Sequence, residues 1–211
     1  MDACFYDLAA TVSILFSVDP RINEISGRFA ESDDASLINA TLSGDDDAFT
    51  ELVKRYKHKV FGIAVRFAGD AHELDDICQE VFIKAYQNLG KFRGDAPFEH
   101  WISRIAVRNC YDALRKRKQM EYDFSFGSLD LPIIDNSSQK SRLAERKYKQ
   151  LYAALEKLSP KDKMVIVLLE LEEKTVREVA ALTGWSETNV KVRAFRARWR
   201  LRKYLEKKDE T

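Results

Sequence analysis

Apolar residues recur at helical spacing through most of the chain. Leu74, Ile77, Cys78, Val81, Phe82, Ala85 and Leu89 follow one another at steps of three, one, three, one, three and four. Those steps gather them on one side of a 3.6-residue helix, predicted over about 71–89 and stopped by Gly90. Phe49, Leu52, Val53, Tyr56, Val60, Ile63, Ala64 and Phe67 form a second stripe, which predicts a long helix over about 46–68. A short helix is expected before it over 34–42, ended by Gly44, with Asp45 placed to cap its successor. After the loop 91–97 a fourth helix is predicted over 98–118, its inner side made of Phe98, Ile102, Ala106, Cys110 and Ala113. Strand-type alternation is hard to find, so the chain reads as all-α.

The period lapses in EYDFSFGSLDLPIIDNSSQ, from residue 121, where Gly, Pro, Asn and several Ser collect. Such a stretch reads as a flexible linker. Helical period then resumes in a segment that ends at Leu158. Ser159-Pro160 is a restart signal, a capping hydroxyl with proline at the first helical position. An apolar helix is expected over 160–171. Thr175-Val-Arg-Glu178 fits a capping box opening a short helix over 176–183, which Gly184 terminates. Ser186 then caps a long last helix. The expected organisation is two small helical domains, 33–119 and 142–211, joined by a linker over 120–141 and preceded by an extension, 1–32, of undetermined role.

The net charge of +1 hides strong segregation. Glu31 to Val53 holds seven acids and no Lys or Arg, Trp101 to Lys118 holds six bases and one acid, and Glu187 to Lys208 holds nine bases and two acids. Blocks of opposite sign point to partners of opposite sign. The three cysteines, Cys4, Cys78 and Cys110, are far apart, and the last two fall on apolar stripes as small core residues would. Without CxxC or a His/Cys cluster, no metal site is expected. Asp2 and Asp7 stand where a signal peptide would carry cations, and Leu8 to Val18 is too short to span a bilayer. A reducing cytoplasm suits this chain.

The capped helix, tight turn and basic last helix have helix-turn-helix grammar. Val190, Ala194, Ala197, Leu201 and Leu205 fall toward a core, while Val192, Arg193, Arg196, Trp199 and Lys203 fall opposite. Arg193 and Arg196 are the candidates for base edges or phosphates, and Lys191, Arg198, Arg200 and Arg202 for the DNA backbone. The bland alternative is a solvated basic face. On the helix over 98–118, Trp101, Arg104, Arg108, Tyr111 and Arg115 form an outer column of rings and guanidinium groups. Such a column suits unpaired DNA, because rings stack on bases and cations follow phosphates. Half-buried packing of Trp101 and Tyr111 explains the same spacing equally well. The loop before it, Phe92 to Pro97, is placed to hold a base drawn from the stack. On the acidic helix, Ile83 is expected to be exposed beside Asp76, Gln79 and Glu80, either as a protein-docking surface or as a stray apolar residue. No catalytic pattern is present. His58, His72 and His100 are scattered, and phosphate-binding Gly-rich loops and HExxH are absent. Neither enzyme activity nor a cofactor is expected.

Together these segments carry a resemblance. Asp76-Ile-Cys-Gln79-Glu80-Val-Phe82, followed by Ala85-Tyr86, resembles the region-two helix of bacterial RNA polymerase sigma factors. Phe92-Arg93-Gly94-Asp95 through Phe98, Trp101, Ile105, Ala106, Asp112 and Arg115 is similar to the promoter-melting segment of the extracytoplasmic function (ECF) group. Leu155 and Leu158-Ser159-Pro160 through Arg198 resemble that group's region four. The resemblance implies a dissociable polymerase subunit. Asp76, Gln79 and Glu80, with Ile83 beside them, would bind core polymerase. Phe92, Arg93, Gly94, Asp95, Phe98, Trp101, Arg104, Arg108, Asn109, Tyr111 and Arg115 would open and read the −10 element. Ser186, Thr188, Lys191, Val192, Arg193, Phe195 and Arg196 would read the −35 element. It also implies an anti-sigma factor as a further partner. A helix-turn-helix regulator acting without core polymerase is the alternative. Residues 1–32 and Trp199 match nothing in the family pattern.

Overall fold

The computed structural model describes residues 28–29, 32–123 and 150–209, which fall into two units, one ending at Cys110 and the other beginning at Tyr111. The expected extension before residue 28 and the linker from 124 lie outside the described residues, as do residues 142–149. Among the described residues every regular element is helical.

In the first unit, α1 spans Asp34–Leu42, α2 Asp46–Ala64 and α3 Ala71–Asn88, and a 3-10 turn covers Leu89–Lys91. Asp33 caps α1 by accepting from the Ser36 amide at 2.8 Å, and Asp70 caps α3 through the Glu73 amide at 2.8 Å. Asp45 precedes α2 but makes no side-chain cap; its carboxylate is taken by Arg28 at 2.8 Å instead. Helix α2 ends four residues before the expected 68. A tightened turn there, with the Phe67 amide donating to the Ala64 carbonyl at 2.9 Å, brings Phe67 into the core.

Helix α4, Phe98–Asp123, runs five residues past the expected 118 and into the stretch whose pattern had lapsed. Its last turns are Lys, Arg, Gln, Met and Glu, good helix formers that need no apolar period to stay helical. Helix α1 packs on α2, and α2 on α3. Leu37, Phe49, Leu52, Val60, Phe82 and Ile102 are buried in this unit.

Two residues assigned to the N-terminal extension are seated here. Phe29 is buried, and its carbonyl accepts from Arg55 Nη2 at 3.1 Å. Arg55 also meets Asp34 at 3.3 Å and Glu51 at 3.2 Å, so one guanidinium ties α1, α2 and the residues before them together.

The second unit contains helical residues 150–156, then α5 (Pro160–Ile166), α6 (Val176–Thr183) and α7 (Glu187–Asp209). The helix expected over 160–171 changes winding at Val167 to a π-helical turn through Leu171. Ser159 caps α5, accepting from Asp162 N at 3.3 Å. The capping box forms both bonds: Glu178 N donates to Thr175 Oγ1 at 3.2 Å, and Thr175 N to Glu178 Oε2 at 2.7 Å. Gly184 closes α6 at φ 76°, a conformation that strains any residue with a Cβ. Ser186 caps α7, accepting from Asn189 N at 3.2 Å. Val190, Ala194, Ala197 and Leu201 face the core, and α7 packs on both α5 and α6.

Candidate polymerase and nucleic-acid interfaces

On α3 the apolar stripe is buried, which turns Asp75, Asp76 and Glu80 outward. Gln79 is half-buried. Ile83 is half-buried too, against the expectation that it is exposed; it closes the edge of the acidic face. Glu80 pairs with Lys84 at 3.1 Å, a bond between two solvated groups that contributes little energy. Lys84 Nζ also donates to Asn109 Oδ1 at 2.6 Å, so it connects α3 to α4.

The loop before α4 rests on four rings. Phe92 and Phe98 meet edge to face at 5.5 Å, Phe92 and Trp101 lie 5.5 Å apart, Phe98 and Trp101 5.3 Å, and Tyr56 and Phe98 5.2 Å. Tyr56 is held in turn by its hydroxyl, which donates to Asp34. Burial, then that carboxylate, pushes the Tyr56 phenol well above its ordinary value. Phe98 is buried at the centre of the cluster, so it supports the loop and is not itself presented to a ligand. Phe92 and Trp101 are half-buried. Above them Arg93, Gly94 (φ 75°), Asp95, Ala96 and Pro97 are exposed. The result is a polar loop over an aromatic floor, the arrangement a displaced base needs.

Along α4, Arg104, Arg108 and Arg115 point to solvent. Asn109 does not. It is buried, with Nδ2 donating to the Ile105 carbonyl at 3.0 Å and Oδ1 accepting from Lys84. Both ends of its amide are engaged within the unit, and through Lys84 it ties α4 to α3. Tyr111 is half-buried, its ring edge-on to Trp185 at 5.8 Å within the second unit. The column is therefore outward guanidinium groups alternating with partly packed rings, and half-buried packing accounts for the rings.

The cations of α7 divide into two sets. Arg193 Nη1 donates to Asp162 Oδ1 at 3.0 Å, and Arg200 Nη1 to Asp162 Oδ2 at 2.8 Å. The Asp162 side chain is only 5% exposed, so both arginines tether α7 to α5. Arg193 also lies over the Trp185 ring at 5.8 Å, and its Nε is buried without a hydrogen-bond partner. Arg193, expected opposite the core, is thus turned inward. Arg198 grips Glu170 at 2.6 Å and Arg202 pairs with Glu206 at 2.8 Å. Lys191 has only a loose contact with Glu187 at 3.9 Å, and Arg196 has no carboxylate partner among the described residues. Beside these two, Ser186, Thr188, Val192 and Phe195 are exposed, Phe195 to 74%. The outward surface of α7 is therefore part cationic and part apolar.

Residues 52–120 match the family described as Sigma-70 region 2, and residues 148–201 match Sigma-70, region 4. The RNA polymerase sigma-H factor of Pseudomonas aeruginosa is 30% identical over 184 residues, spanning 83% of this chain and 95% of its own length. The ECF RNA polymerase sigma factor SigW of Bacillus subtilis is 33% identical over 176 residues, 80% of this chain and 94% of that one. The chain belongs to the ECF sigma factor family.

As a sigma factor it binds core RNA polymerase and directs transcription initiation at promoter DNA. The fold agrees: CnrH, solved in complex with the cytosolic domain of CnrY, superposes with a TM-score of 0.53 at 28% identity, covering 82% of this sigma factor and 97% of CnrH. The region-two match begins within α2, so α1 and the seated Arg28 and Phe29 precede it. The region-four match ends at 201, before Lys203. Three residues that organise these surfaces were not singled out by the sequence: Lys84, Asp162 and Trp185. Lys84 carries a faint signal, a lone cation on an acidic helix. Asp162 in the first turn of α5 reads only as an acid suited to the helix dipole, and its partners lie 31 and 38 residues away.

Proposed function

We propose that this ECF sigma factor works as two domains in the cytoplasm, without catalysing a reaction itself. Its −10 domain extends over 33–119 and its −35 domain over 142–211, with 120–141 as the connection. The exposed acidic face of α3, Asp76 and Glu80 with Gln79 and Ile83 at its edge, docks on core polymerase. The Phe92–Pro97 loop takes a displaced −10 base over the Phe92 and Trp101 rings, while Arg104, Arg108 and Arg115 follow the phosphates of the opened strand. The outer side of α7, through Thr188, Lys191, Val192, Phe195 and Arg196, lies in the major groove at −35.

The observation that carries this reading is the sorting of surfaces. An acidic face stands on α3 and an aromatic-and-arginine face along α4, and the exposed cations of α7 lie on the side away from its core. Release from an anti-sigma factor is the proposed control, supported by the likeness to CnrH in its complex with CnrY. Run-off transcription with purified core polymerase on a genomic fragment library tests the reading and recovers the promoter. The unmodified chain should give discrete transcripts. Asp76→Arg with Glu80→Arg should abolish both core binding and transcription while leaving the circular dichroism spectrum intact. Transcription indifferent to that pair would refute the assignment of the acidic face.

A further inference from the structure

Helix α7 carries an exposed feature beyond its base-reading turns. Trp199 is 60% exposed, one of the least buried large apolar side chains among the described residues, and Lys203 Nζ sits over its ring at 5.3 Å. A cation at that distance from an indole face is held by the ring quadrupole, so the two side chains form one preset unit. Thr188, Val192, Phe195 and Trp199 are spaced four, three and four residues apart, which aligns them in a single strip on the side opposite Val190, Ala194, Ala197 and Leu201. Among the described residues nothing in the folding of the second unit requires an indole there. It is absent from the buried core, and the region-four resemblance assigns the position no role.

The occupant that fits is duplex DNA. Within the strip's surroundings, the side chains of Lys191, Arg196 and Lys203 are exposed and cationic, and no acid occurs on α7 between Glu187 and Glu206. That charge matches a polyanion and disfavours a basic protein surface. Geometry assigns the part of the DNA. At about 1.5 Å per residue, Trp199 lies about 16 Å along the axis from Thr188. The major groove is about 12 Å wide. A helix whose first turns reach base edges has therefore left the groove floor by Trp199 and stands beside the bordering phosphodiester chain.

We propose that Trp199 and Lys203 form a phosphate clamp at the edge of the −35 groove. The indole N–H donates to a phosphate oxygen, and the ammonium group neutralises the same stretch of backbone. The clamp adds affinity without sequence information and fixes how far α7 slides along the groove. It rests on the −35 assignment made for α7 above.

The test uses holoenzyme reconstituted with core polymerase and the promoter recovered by run-off transcription. Promoter affinity is measured across a salt series on the intact sequence and on versions altered at single −35 base pairs. Trp199→Ala should weaken binding ~tenfold, the scale of one charge-assisted hydrogen bond, by the same factor on intact and altered promoters. Trp199→Phe, which keeps the ring and loses the donor, should show most of that loss. Lys203→Ala should reduce the slope of log affinity against log salt by about one. Wild-type affinity and slope in all three variants would overturn the clamp, and so would a Trp199→Ala loss confined to one base pair. If unmodified holoenzyme shows no preference for the intact −35 sequence, the −35 assignment itself fails, a separate result from loss of the clamp alone.

Discussion

Replacing Asp162 with alanine separates a DNA-reading arginine from a structural one. The Asp162 carboxylate is almost fully enclosed and accepts from Arg193 at 3.0 Å and Arg200 at 2.8 Å. Breaking a fully buried ion pair by removing one partner costs about 3–5 kcal/mol, because a charge is left without compensation. Here the partners left behind are partly solvated, the Arg193 side chain 27% and the Arg200 side chain 46% exposed, so each can recover part of its hydration by turning outward. That lowers the expected cost of Asp162→Ala to about 2–3 kcal/mol. Arg193→Ala should cost less, about 1–2 kcal/mol, since Asp162 keeps Arg200 and the N-terminal dipole of α5. The double variant should cost less than the sum, with a coupling near 1 kcal/mol, as expected of groups in direct contact. Amide hydrogen exchange of α7 peptides, read by mass spectrometry, gives these free energies locally and does not require the whole chain to unfold in one step. Promoter binding by Arg193→Ala holoenzyme should fall by a similar factor on intact and altered −35 sequences, because the whole helix loses its mount. The opposite result is an Arg193→Ala variant that leaves α7 protection unchanged and weakens binding only where one −35 base pair is intact. That pattern would mean the guanidinium leaves Asp162 to read a base.

Phe98→Ala should cost about 3–5 kcal/mol by emptying the centre of the ring cluster, seen as a lowered thermal midpoint. Trp101→Ala, at a half-buried rim position, should leave that midpoint within a few degrees while lowering permanganate reactivity of the −10 thymines in the promoter complex. Gly184→Ala should destabilise α6 and α7 by about 1–2 kcal/mol, because a Cβ opposes the positive φ at that turn; hydrogen exchange of the two helices reports it. Burial, then the neighbouring Asp75 charge, pushes the Cys78 thiol from 9.0 up to about 12. The folded state holds that proton more tightly than the unfolded chain, so the thiol's contribution is complete below pH 9.0 and is lost as pH rises toward about 12. Urea midpoints should accordingly fall over that window, less steeply in Cys78→Ala, and the Cys78 thiol of the native protein should resist iodoacetamide at neutral pH.

What the sequence made legible was local. The α3 stripe, the Ser159-Pro160 restart, the Thr175/Glu178 box and the Gly184 stop each depend on residues within a turn or two, and each stands where its spacing predicted. The ends of α2 and α4 were less legible, because the burial of Phe67 and the helix propensity of residues 116–121 do not show in the apolar period. The family was readable from motifs in three segments taken together, none of which required knowing which side chains touch.

The functional surfaces were legible only as faces. A helical wheel assigns Arg193 and Arg196 to one side of α7, since three residues of separation leave them about 60° apart. What divides them is Asp162, on α5, which takes the first and leaves the second to solvent. Asn109 and Arg108 divide in the same way. They are neighbours in sequence, but Lys84 reaches across from α3 and engages the asparagine, while the arginine stays outside. In both units one part-buried polar bond engages a candidate DNA-contacting side chain and ties the helix that carries the others to its neighbour. Base and phosphate contacts lose value if the helix bearing them can roll, because every side chain on it then shifts together. The cations that reach DNA and those that hold the helix are thus two interdependent sets, which charge counting alone combines into one.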